Sequence, residues 1–113
     1  MHSSMIGRLG ELKIKQRLLE QNHNIYTPEV DIFGTDLVVE LSYGAFKRVQ
    51  VKTITKPTTD TAIQVRCLKY VDLKPAIDVI AVYYVPLDKC ACVPHNNEKI
   101  LSLALTTAKN NQP

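Results

Sequence analysis

The chain has 113 residues, of which 45% are hydrophobic and 22% charged, the balance of one globular domain and not of a disordered segment. No apolar run approaches the roughly 18 residues of a membrane span, and the opening Met1-His2-Ser3-Ser4-Met5 lacks a basic-then-apolar secretion signal, so the expected setting is the cytoplasm, away from membranes. Fourteen Lys and Arg against eleven Asp and Glu leave +3, which permits nucleic-acid binding without demanding it.

The elements follow from pattern and punctuation. Residues 5–22 hold no proline and many good helix formers, predicting a helix capped by Ser4 and ended by Asn22 and Asn24. Ile25 and Tyr26 predict a short strand, broken at Pro28. From Asp36 to Ser42 the chain alternates, with Leu37, Val39 and Leu41 on one face. After a break at Tyr43-Gly44-Ala45, a second alternating run from Phe46 to Ile54 turns Val49 and Val51 inward, and the two form a β-hairpin. Residues 53–61, with Pro57 and five threonines, predict an exposed loop. A short edge strand at 62–66 and a short helix at 68–73 come next. Residues 77–85 are apolar and β-branched, a central strand that turns at 86–89 into another at 90–93. Residues 98–108 predict a closing helix capped by Asn96 or Asn97. The expected fold is α/β: one domain over residues 1–113, with a mixed central sheet flanked by helices.

Three cysteines, Cys67, Cys90 and Cys92, are an odd number and exclude a complete disulfide framework, so thiols in a reducing compartment are expected. Cys90-Ala91-Cys92 lacks partners at the spacing a structural zinc site needs.

The hairpin carries the chemistry. With a three-residue turn at 43–45, Ser42 pairs with Phe46, Asp36 with Lys52, Val38 with Gln50 and Glu40 with Arg48. Side chains alternate with period two, so Asp36, Gln50 and Lys52 share the face opposite the core residues. An acid, an amide oxygen and an ammonium at one end of a sheet suit a metal and a phosphate. The same charges also read as plain cross-strand pairs, Asp36–Lys52 and Glu40–Arg48. On the first helix Glu11 lies beside the Ile14 and Leu18 stripe, with Arg8 and Lys15 on its other flank. Gly7 and Gly10 each cost roughly 1 kcal/mol against alanine in a helix, and their small size lets the helix or a nucleic-acid backbone come close. The plainer reading of Glu11 is an i,i+4 pair with Lys15.

Taken together, Gly10-Glu11 on the first helix, Thr35-Asp36-Leu37-Val38-Val39 on a strand and Val49-Gln50-Val51-Lys52-Thr53 on the next resemble the PD-(D/E)xK nuclease superfamily. The order is most like its small homing-endonuclease branch, found with group I introns, and next like archaeal Holliday junction resolvases. Ile77-Asp78-Val79-Ile80-Ala81-Val82-Tyr83 also looks like the following strand of that branch, so the likeness covers roughly residues 5–94. Two departures stand out: Thr35 replaces the usual proline, and Gln50 replaces the acidic member of (D/E)xK, a substitution known in the homing branch.

The resemblance implies a Mg²⁺-dependent DNA endonuclease with Glu11, Asp36, Gln50 and Lys52 as catalytic residues. Phosphodiester hydrolysis needs a positioned water and neutralisation of the charge that develops at phosphorus, which a hard ion held by few protein oxygens supplies. Asp36, the Gln50 amide oxygen and the Val51 carbonyl are the expected metal ligands, with Glu11 acting through water or on a second ion. Lys52 orients the water and counters negative charge. With glutamine replacing an acid, metal binding is expected to stay weak until a DNA phosphate joins. Arg8, Lys15, Arg48 and Lys56 are candidate phosphate contacts. One active site cuts one strand, so double-stranded or branched DNA as substrate implies a homodimer or higher homo-oligomer. The apolar segment Ile100-Leu101-Ser102-Leu103-Ala104-Leu105 either closes the core or forms that interface. The competing readings are a structure-specific junction resolvase, a nuclease-inactive DNA-binding module, and a structural α/β protein whose hairpin charges pair with one another.

Overall fold

The computed structural model describes residues 1–30, 34–59, 62–66, 77–95 and 100–104. Good helix formers run unbroken through Ser3–Glu20, which forms helix α1. Its cap is His2, not Ser4: the His2 imidazole Nδ1 accepts from the Ser4 N–H at 3.1 Å, leaving Ser4 inside the first turn. Beyond the helix end Asn22 takes a left-handed φ of 67°, a conformation asparagine tolerates. Among the described residues seven strands follow: β1 (Asn24–Tyr26), β2 (Leu37–Glu40), β3 (Phe46–Ile54), β4 (Ala62–Arg66), β5 (Val79–Tyr84), β6 (Lys89–Pro94) and β7 (Ile100–Ala104). Five of them make a mixed sheet in the order β1-β2-β3-β5-β6, in which only β3 and β5 run parallel; β4 and β7 pair separately as a two-stranded ribbon.

The hairpin differs from expectation in register but not in face. Leu37 pairs with Val49, Val38 with Arg48, Val39 with Lys47 and Glu40 with Phe46. The regular strands therefore end at Glu40 and Phe46, and Leu41 and Ala45 flank a three-residue turn at 42–44. Gly44 N–H donates to Leu41 O, Leu41 N–H donates to Ala45 O, and Gly44 sits at φ +85°, where a side chain would be strained. This turn-plus-bulge closure shifts the pairing by two residues. An even shift leaves every side chain on its expected face, so Leu37, Val39, Val49 and Val51 are buried. The expected Glu40–Arg48 pair does not form. Glu40 accepts from the Tyr26 hydroxyl at 2.6 Å, and Arg48 turns to Asp78.

The larger sheet buries both faces. Ile14 and Leu18 of α1 pack with Leu37, Val39, Val49, Val51, Ala81 and Tyr83. On the opposite face Ile63 and Val65 of the ribbon pack with Ile77, Ile80, Val82 and Tyr84, joined by Ile54 and Leu103. The central β5 is thus apolar at every position, as strands covered on both sides are. The second cover is the ribbon where a closing helix was expected over 98–108: residues 100–104 form β7, antiparallel to β4 with Leu103 opposite Ile63. A short apolar run suits either element, and here pairing across the chain outweighs local helix propensity. The segment closes the core through Leu103. The expected helix at 68–73, Cys67 and the remainder of 98–108 lie outside the described residues.

The seat of α1 depends on Gly10. It is buried, and a Cβ there would fall on Thr53 Oγ1 of β3. Gly10→Ala is expected to destabilise the fold by roughly 1–3 kcal/mol through overpacking, against an intrinsic helix gain of about 1 kcal/mol. Urea unfolding checks this: Thr53→Gly in the same chain should remove most of the Gly10→Ala penalty, and strictly additive effects would contradict the contact.

Candidate active site

The candidate residues meet where two strands part. β2 begins at Leu37 opposite Val49, while β3 runs on to Ile54 beside β5. Asp36 spans the fork from its own backbone and its side chain at once. Its N–H donates to Val49 O at 2.9 Å, and its Oδ2 accepts from the Val51 N–H at 2.7 Å. A charge-assisted bond of that length fixes the carboxylate firmly. A carboxylate has about four acceptor positions, so this bond does not exhaust it.

Gln50 and Lys52 follow on the same face as Asp36, because Val49 and Val51 between and beside them point into the α1-side core. Gln50 is only 7% exposed. Its Nε2 donates to Val51 O at 3.3 Å, and its Oε1 is buried with no hydrogen-bond partner. Burying a bare amide oxygen costs on the order of 1–3 kcal/mol, which a bound cation would offset. Glu11 arrives from α1, brought in by the Gly10–Thr53 approach, and accepts from Arg8 Nη1 at 3.2 Å.

A cleft of about 420 Å³ gathers these groups, with Glu11, Asp36, Gln50, Val51 and Lys52 in its wall. Every site residue expected from sequence therefore lines one depression. Sequence reasoning missed Ser3, Ile6, Thr53 and Thr55 of the same wall. The four-residue spacing of Ser3, Gly7 and Glu11 on one helix face, and the continued course of β3 past Lys52, were the signals for three of these four: Ser3, Thr53 and Thr55. Gly7 lines the cleft with open space where its Cβ would be.

The expected phosphate contacts divide. Arg8 pairs with Glu11, so the expected Glu11–Lys15 pair is replaced, and Lys15 Nζ donates to Thr27 Oγ1 at 3.1 Å. Lys56 is exposed in the loop after β3. Arg48 is a structural group. Asp78 Oδ2 accepts from both its backbone N–H and its Nε, at 2.8 and 3.0 Å, and Asp78 Oδ1 accepts from Nη2 at 3.2 Å. Partial burial pushes the Asp78 carboxyl up, but the Arg48 side chain and N–H, with Lys47 nearby, outweigh it and hold the group below its ordinary value.

Among the described residues no three His, Cys, Asp or Glu side chains converge as a metal cluster. The oxygen set at the fork consists instead of two carboxylates, a neutral amide and a carbonyl, the hard donors that a small divalent cation takes. The orphaned Gln50 Oε1 is an acceptor that such a cation would satisfy. Cys90 and Cys92 are free thiols, and burial raises the Cys90 thiol above its ordinary value.

A family model described as PD-(D/E)XK endonuclease matches residues 1–113. No curated protein matches the chain in sequence. Among solved structures, a bacterial homing endonuclease, I-Ssp6803I, is similar with a TM-score of 0.73 at 19% identity, over 99% of this chain and 82% of that one. At such identity the likeness is one of fold.

The Asp78–Arg48 pair gives a signed pH dependence. Because the folded carboxyl lies below its unfolded value, its contribution to stability is complete above that unfolded value and is lost as pH falls through the folded one. The urea midpoint difference between the native chain and Asp78→Asn is therefore expected to hold steady from about pH 7 to 5 and to narrow below about pH 4. A difference that stays constant down to the acid limit would contradict it.

Proposed function

The chain belongs to the PD-(D/E)XK endonuclease family, the nucleases that hydrolyse DNA phosphodiesters, and we propose that it does so at the β2–β3 fork as a Mg²⁺-dependent endonuclease of the homing type. The observation that carries this is the meeting of Asp36, Lys52 and the unsatisfied Gln50 Oε1 on one sheet face, in one cleft with Glu11. The homing assignment takes its support from the fold likeness to a homing endonuclease and from glutamine in the acidic slot of the motif.

Asp36, Gln50 Oε1 and the Val51 carbonyl are the groups that would hold the metal, with Glu11 acting through water or on a second ion. When bound, the ion supplies Lewis-acid stabilisation of the charge that builds on the phosphoryl oxygens. Asp36 brings the one negative charge already fixed to the sheet frame by Val51. Gln50 brings an oxygen without charge, which keeps metal affinity low until a substrate phosphate adds its own. Lys52 orients the attacking water and offsets the negative charge that grows at phosphorus as the scissile P–O bond breaks. Glu11, held by Arg8 in the free protein, lies where a DNA phosphate would compete for the Arg8 guanidinium. One such site cuts one strand, so cleavage of a duplex uses two copies, a homodimer or higher homo-oligomer. No helix among the described residues is long and apolar enough to cross a membrane, and the free thiols suit a cytoplasmic enzyme.

The test is cleavage of supercoiled plasmid and of a four-way junction in Mg²⁺, with and without EDTA, beside Lys52→Ala. The native chain is expected to cut the duplex in preference to the junction and to stop on chelation. Lys52→Ala is expected to lose about 10²-fold or more in rate. Full activity in Lys52→Ala would overturn the site, and preference for the junction would make the enzyme a resolvase.

Gln50→Glu separates the role of the amide from that of the fold. Restoring the acid is expected to tighten Mg²⁺ binding to the DNA-free protein, measured by calorimetry, from weak to readily detectable. Tight binding by the native chain, or no gain in the variant, would contradict the role given to Gln50.

A further inference from the structure

Helix α1 carries apolar residues on two opposite sides. At about 100° per residue, Gly10, Ile14 and Leu18 face the sheet, and these are its buried positions. Met5, Leu9, Leu12 and Leu19 lie half a turn away and are between 43% and 59% exposed. With Gln16 they recur at intervals of four, three, four and three residues, the spacing by which one helix packs along another. A surface helix of a monomer has a polar outer face, so this seam is built to be covered.

Its symmetry identifies what covers it. Leu12 is the midpoint, with Met5 seven residues before and Leu19 seven after. In an antiparallel pair of identical helices Leu12 meets Leu12, and each Met5 meets a Leu19, the self-complementary arrangement that a two-fold axis requires. Polar groups agree with that direction. The first turn of α1 holds no acidic residue, and the antiparallel partner brings Glu20 of its last turn to that positive helix end, with the two macrodipoles opposed.

We propose that the outer seam of α1 is an interface between two copies of this chain, packed antiparallel about Leu12. This rests on the reading of the enzyme as one that uses two copies. The seam runs about 21 Å from Met5 to Leu19, a strip of one helix face that is small beside the roughly 800 Å² per partner of a standard interface, so the pairing depends on concentration. It lies away from the helix face that carries Glu11, so both clefts stay open to DNA.

Analytical ultracentrifugation from about 1 to 200 µM is the test, reading mass and not activity, with Leu12→Glu and Leu9→Gln as variants of exposed positions whose folding is checked by helicity. The native chain is expected to show a monomer–dimer equilibrium, weakened at least about tenfold in both variants. In parallel, Leu12→Cys is expected to form a disulfide-linked dimer on mild oxidation, above the background set by the native cysteines, while Leu19→Cys does so only with Met5→Cys in the same mixture. A dimer indifferent to both seam variants would overturn the interface and leave two-copy cleavage standing. A monomer throughout would overturn both. Cross-linking of Leu19→Cys alone, without Leu12→Cys, would overturn the antiparallel packing.

Discussion

The bond from the Val51 N–H to the Asp36 carboxylate is the constraint on which the candidate site depends. Where β2 leaves β3, a sheet would ordinarily leave an open row of backbone donors and acceptors. Asp36 closes the first of these with its own N–H and side chain, so the strands part at a defined residue and the carboxylate is held at the point of separation. Beyond it, Gln50 and Lys52 occupy a stretch of β3 that β2 no longer covers. A carboxylate on a flexible loop would first have to be ordered. Here that ordering belongs to folding.

The sheet around the fork explains why its polar residues are informative. Both faces of β3 and β5 are packed, one by α1 and the other by the β4–β7 ribbon. In such a strand the default residue is apolar, as β5 shows from Val79 to Tyr84. Against that background Gln50 and Lys52 interrupt β3, and the interruption coincides with a cleft and with a buried amide oxygen that nothing among the described residues satisfies. Gly10 completes the arrangement by letting α1 sit close enough to Thr53 for Glu11 to reach the same cleft.

Much of this was legible in the sequence because it rests on parity. Alternation alone assigned Asp36, Gln50 and Lys52 to one face and Leu37, Val39, Val49 and Val51 to the other, and a register shift of two preserved both sets. The shift itself was hidden in the turn, since the left-handed Gly44 closes a three-residue connection at 42–44, one position before the expected 43–45. Residues 100–104 were misread as helix because Leu and Ala suit both elements, and their partner, β4, lies some forty residues earlier (Ala62 with Ala104). Arg48 looked like a surface cation because Asp78 is thirty residues away. The His2 cap is not legible in the sequence because serine is the commoner acceptor at that position.

Localising the metal on the chain tests the central assignment most directly. Iron(II) with ascorbate and peroxide, added to the protein bound to duplex DNA in place of magnesium, breaks the polypeptide close to the bound ion, and the fragments can be mapped by mass spectrometry. Cuts next to Asp36 and within Gln50–Lys52, suppressed by excess Mg²⁺ and lost in Asp36→Asn, are the expected result. Cuts confined to other segments, or cuts at the fork that persist in Asp36→Asn, would contradict a metal site held by Asp36 at the parting of β2 and β3.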